Sequence, residues 1–104
     1  MNVTVETEVG GLVAVKLQTP EWEVNIRAVP SDLMKLTDIR MANWDERQSI
    51  RAGATAGAPV FWAADGAGVA LLVGDDDETW DVSVRIPFAA VEEIVRLLNA
   101  AELS

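Results

Sequence analysis

The sequence predicts an α+β domain: an antiparallel β-sheet of about six to seven strands with two helices on one of its faces. Three observations carry that expectation. Short runs of alternating apolar and polar residues recur along the chain, each bounded by turns rich in glycine, proline or aspartate, which is the signature of antiparallel strands and hairpins. Two segments change period from two to that of a helix just after a proline, where a strand hands over to an amphipathic helix. The chain has 104 residues, 50% of them hydrophobic and 24% charged. That suits a single domain over 1–104 with its own core.

Val3, Val5 and Thr7 alternate with Thr4, Glu6 and Glu8, Gly10-Gly11 makes a tight turn, and Leu12 to Leu17 runs back. This is a β-hairpin. Thr19-Pro20-Glu21 forms the next turn, and Trp22, Val24, Ile26 and Ala28 line one face of a third strand. Pro30-Ser31-Asp32 then opens a short helix with Ser31 as its N-cap and Leu33, Leu36 and Met34 turned inward. From Asp38 to Ala58 the periodicity is poor. Asn43-Trp44-Asp45-Glu46 reads as a brief capped helix, and Ser49 to Ala52 as a strand leading into the small-residue loop Gly53 to Gly57.

Regularity returns at Pro59 to Ala64, a strand that turns at Asp65-Gly66-Ala67-Gly68 into the apolar run Val69 to Val73. An acidic turn, Asp75-Asp76-Asp77-Glu78, leads into the most informative stretch of the chain. There Trp80, Val82, Val84 and Ile86 alternate with Asp81, Ser83 and Arg85, which places the four apolar side chains on one face. Pro87 ends the strand, and Phe88, Val91, Val95 and Leu98 continue at helical spacing. Trp22 and Trp80 lie 58 positions apart, each opens a similar strand, and Gly10 falls on Gly68 at the same offset. The chain therefore reads as two β-β-β-α units, 3–37 and 59–102, joined by an irregular linker over 38–58. Duplication of one unit and convergence of strands that enter helices account for the pattern equally.

Leu12 to Val15 and Val69 to Val73 are apolar on both faces, whereas a strand with one wet face alternates. The second face of the sheet needs a cover. The candidates are the 38–58 linker, a second copy of the chain, or a partner protein.

Composition removes whole classes of chemistry. The sequence has no cysteine and no histidine, so it offers no thiol nucleophile, no thiolate metal site and no imidazole base. Seventeen acids against eight bases give a net charge of −9, a field that repels nucleic acid and anionic membranes and attracts cationic partners. No basic start followed by an apolar run marks a signal peptide, and no stretch reaches the roughly 20 apolar residues of a membrane span. A cytoplasmic protein is expected, and six arginines against two lysines hint at a GC-rich bacterial genome.

The remaining candidate sites are weak as chemistry. Asp75 to Glu78 with Asp81 put five acids into seven residues, but a calcium loop counted from Asp75 would need glycine and glutamate where Trp80 and Ile86 stand. Adjacent carboxylates on an exposed turn have little means of separating their pKa values for acid-base work. Gly53 to Gly57 beside Arg51 lacks the lysine and hydroxyl of a P-loop, and Gly66-Ala67-Gly68 lies between strands, where a dinucleotide fingerprint does not occur. Of the four tryptophans, Trp22 and Trp80 fall on apolar strand faces and read as core, one of Phe61 and Trp62 must face outward, and Trp44 stands among charges, either capping the core or anchoring an interface.

No nucleophile, metal, phosphate-binding or cofactor signature survives, and binding outranks catalysis. The expectation is an acidic protein-binding domain of the immunity type, neutralising a basic toxin such as a nuclease. Its binding residues would be Trp44, Asp45, Glu46, Asp75, Asp76, Asp77 and Glu78. A homo-oligomeric structural or regulatory domain, dimerised through its doubly apolar strands, is the alternative, and a small carboxylate enzyme the third.

Overall fold

The computed structural model describes residues 1–76 and 79–103, so Asp77 and Glu78 of the acidic turn lie outside the described residues. Seven strands form one antiparallel sheet in sequence order: β1 (Asn2–Thr7), β2 (Val13–Gln18), β3 (Glu23–Ala28), β4 (Ile50–Thr55), β5 (Ala58–Asp65), β6 (Gly68–Gly74) and β7 (Trp80–Ile86). Between β3 and β4 stand α1 (Pro30–Leu33), a 3-10 segment (Met34–Met41) and a 3-10 turn (Trp44–Glu46); α2 (Phe88–Leu103) follows β7. The predicted α+β class is what the chain adopts, with two three-stranded meanders on either side of β4.

Register decides which face each side chain takes. Val15 pairs with Val5 and Ile26, Trp62 with Ile50 and Leu71, and Leu71 with Val84. Paired residues in an antiparallel ladder point to the same side. One face therefore carries Val13, Val15, Leu17, Ile26, Val60, Trp62, Leu71 and Ile86, all buried, and Leu33, Leu36, Ile39, Val91, Ile94 and Leu98 from the helical segments close over them. Among the described residues no charged or polar side chain is buried.

α2 leaves β7 yet packs against β1, the opposite edge strand, and against the 3-10 segment. A sheet of seven twisted strands curls enough for one helix to touch both its edges. Arg40 strengthens the contact between the 3-10 segment and α2: its guanidinium lies 3.9 Å from the centroid of Phe88 and 3.2 Å from Glu92 Oε1.

Three local expectations need correction. The N-cap of α1 is Val29 rather than Ser31, and no side chain caps it. Pro30 has the fixed φ and missing N–H that suit a first helical position, so the helix starts one residue before the serine can serve. The stretch 38–58 is not an irregular linker throughout, and Gly53 to Gly57 is not a loop: β4 runs through to Thr55. It was hidden because the β4–β5 register shifts between Arg51 and Ala54, with Gly53 at φ +84°. A side chain at Gly53 would place its Cβ 2.5 Å from Ile26 Cγ2, so only glycine fits this bulge.

The bulge also serves the core. Trp62 is completely buried and its indole N–H needs an acceptor. Ala52 and Gly53 have no register partners on β5, and the Ala52 carbonyl accepts from Trp62 Nε1 at 2.9 Å. Trp62→Phe keeps most of the apolar volume but leaves that carbonyl without its donor. It should lower the unfolding free energy by about 1–3 kcal/mol, measured by urea denaturation. An unchanged midpoint would show that the hydrogen bond contributes nothing net.

Candidate protein-binding face

The sheet face opposite the helices is where the sequence leaves a covering unexplained. Register puts Phe61, Ala63, Ala70 and Leu72 there, flanked by Arg51 on β4 and by Ser83 and Arg85 on β7. Ala63 and Leu72 are only 1% and 3% exposed, although they lie outside the main core cluster. Register brings Trp80 to this face as well, where it meets Trp44.

Trp80 does not share a face with Val82, Val84 and Ile86, contrary to the strict alternation of the sequence. The β6–β7 register shifts after Val73, so that Val82 pairs with Val73 but Trp80 pairs with Gly74. Gly74 alternates with Val73 and lies on the side of Leu72, and Trp80 goes with it. Asp81 is the extra residue of the bulge. Gly74 makes this possible, because a Cβ there would fall 2.4 Å from both Thr79 O and Trp80 Cα. Trp80 is consequently 39% exposed rather than a core residue.

Trp44 meets it from the other side. The 3-10 turn is capped by Asn43, whose Oδ1 accepts from Asp45 N at 2.9 Å, and the Ala42 carbonyl accepts from Ala64 N at 2.8 Å, which ties this segment to the end of β5. From there the half-buried Trp44 ring packs edge-on against Trp80, with centroids 6.0 Å apart and planes at 76°. Such T-shaped pairs are favourable beyond their buried area. The Arg47 guanidinium sits 4.9 Å from the Trp44 ring.

Trp44 of one expected cluster thus meets Trp80, which follows the acidic turn of the other. Asp45 and Glu46 adjoin Trp44 and are exposed; Asp75 and Asp76, also exposed, lead the turn into Trp80. That turn is ordered at its described ends: Asp76 Oδ1 accepts from Thr79 N at 2.7 Å and Asp75 N donates to Thr79 O at 3.1 Å. Trp80 is the site residue that sequence reasoning assigned to the core. The glycine closing an otherwise apolar strand, just before an acidic turn, was the signal available for it.

At the same end of β5, next to Ala64, Asp65 organises the turn to β6. Its Oδ1 accepts from Ala67 N at 2.8 Å and Gly68 N at 3.1 Å, and both its oxygens lie 2.7 Å from Arg85 Nη2. A shallow depression of about 420 Å³ opens beside it, lined by Arg40, Asn43, Asp45, Ala64, Asp65, Gly66 and Phe88. Among the described residues no group of three acids or other ligands is placed to hold a metal ion, and no helix is long and apolar enough to cross a membrane.

Comparison with known proteins adds no constraint: no family model matches the sequence, and no curated protein or solved structure shows significant similarity to it.

The hydrogen bond from Arg85, followed by that from Ala67 N, holds the Asp65 carboxyl below the ordinary aspartate value. A carboxylate depressed in the folded state contributes stability above its unfolded pKa and loses it as pH falls through the folded one. Asp65→Asn retains an oxygen for the two turn N–H groups while removing the charge. The stability difference between the two proteins should therefore be constant from neutrality to about pH 5 and shrink below about pH 4. A difference that widens on acidification would contradict this account.

Proposed function

We propose that this chain is a non-enzymatic, acidic protein-binding domain that acts in the cytoplasm as an immunity-type inhibitor of a basic toxin such as a nuclease. The observation that carries the reading is the Trp44–Trp80 pair, a partly exposed aromatic anchor with Asp45 and Glu46 beside one ring and Asp75 and Asp76 leading to the other. Aromatic residues that are rigid and partly desolvated anchor interfaces, and surrounding charges set encounter rate and partner choice. A net charge of −9 concentrated into carboxylates suits a cationic target, whose phosphate-binding groove those carboxylates would occupy.

The test uses the intact chain immobilised against a lysate of its native organism at low salt. A basic protein should be retained, released at high salt, and lose its nuclease activity when the chain is added back. Trp80→Ala should weaken that complex about 30-fold or more, chiefly through faster dissociation, as expected of a central aromatic anchor. Reversing Asp75 and Asp76 to Lys should mainly slow association and flatten the salt dependence. Affinity indifferent to all three substitutions and to salt would sink the proposal.

A further inference from the structure

The outer edge of β7 offers a self-complementary ladder. Among the described residues β7 has β6 as its one strand neighbour, and Trp80, Asp81, Val82, Ser83 and Arg85 are all exposed. Val82 is 49% exposed even though it lies on the helix-bearing face, because α2 turns away toward β1. An uncovered edge of this length invites pairing with another strand.

We propose that the occupant is a second copy of this chain, with β7 pairing antiparallel to β7 about a two-fold axis through Ser83. In that register Ser83 faces Ser83, Val82 faces Val84, and Arg85 faces Asp81, with Trp80 beyond the bulge and outside the ladder. Symmetry makes each unlike pair occur twice. The exposed Val82 of each copy gains an apolar partner, the half-buried Val84 of the other, on the helix-bearing face, and on the other face two cations meet two anions. Asp81 has no ion-pair partner within its own chain among the described residues, and the Arg85 contacts to Asp65 both use Nη2, leaving Nη1 and Nε to meet a second carboxylate.

Competing registers lose these pairings. A slip of one residue sets valines opposite charges and turns the faces over. Centring on Val82 places Arg85 opposite Thr79, and centring on Val84 brings Pro87, which has no N–H, against Asp81. The charges on this edge therefore disfavour other strands while rewarding one arrangement with its own copy. The interface runs along the strand that Trp80 opens, but it does not rest on the inhibitor reading.

Light scattering on the full chain across a concentration series at about 0.15 M salt should give a mass twice that of one chain, relaxing to a monomer on dilution. Asp81→Lys alone and Arg85→Glu alone should each raise the dimer dissociation constant about tenfold or more, because each sets like charges opposite one another twice. An equimolar mixture of the two variants should recover the dimer, since Lys then faces Glu and Arg faces Asp. In this cysteine-free chain, Ser83→Cys should cross-link to a covalent dimer under mild oxidation, because directly opposed residues lie about 4.5–5.5 Å apart at Cα, within disulfide range. A monomer at every concentration, a dimer indifferent to both substitutions, or folded variants that fail to recombine would each overturn the proposal.

Discussion

A single buried indole sets the terms for the middle of this fold. Trp62 occupies the centre of the sheet, wholly removed from water, and its N–H must find an oxygen there. The oxygen is the Ala52 carbonyl, released from the regular ladder by a bulge that only glycine can hold at position 53. Tryptophan, bulge and glycine are one unit. It lets the largest side chain of the core stand between β4 and β6 without an unsatisfied polar atom, and it twists β4 so that the helical segments can lie across both meanders.

The same device recurs at the opposite edge with the opposite effect. Gly74 permits a second bulge, and this one carries a tryptophan out of the core instead of accommodating one within it. Trp80 then meets Trp44 on the face that also carries the buried Leu72 and Ala63. A bulge that moves one side chain across the sheet thus creates a partly exposed aromatic pair outside the main core. Acidic residues border both rings because each tryptophan enters from a polar turn.

Alternation and proline placement made most of the architecture legible. The hairpins, the Trp80–Ile86 strand and the Pro87 handover to α2 follow from period and turn chemistry, and the apolar run Val69 to Val73 correctly indicated that both sheet faces need cover. What escaped was set by bulges. Each shifts side-chain phase by one residue, which a fixed period of two cannot register, so the second half of β4, from Gly53 to Thr55, read as a loop and Trp80 as core. Position 62 was ambiguous for another reason: Phe61 and Trp62 are adjacent rings, and only the pairing with Ile50 and Leu71 decides which faces inward. Of the expected site, Trp44 to Glu46 and the described part of the acidic turn were visible as separate patches. The contact that links them, Trp44 against Trp80, joins residues far apart in sequence.

The order of strands in space is the order in sequence, and nearly every pairing joins neighbours along the chain. Contacts so local form early and need little loop closure. The helical segments depart from that rule, most of all α2, which follows β7 yet must return to β1. The meander is able to zip strand by strand, while its core face stays partly bare until Val91, Ile94 and Leu98 of α2 join the cluster. The protein is thus built like a vessel whose lid closes after its walls, and its moment of greatest danger from aggregation falls between completion of the sheet and docking of α2.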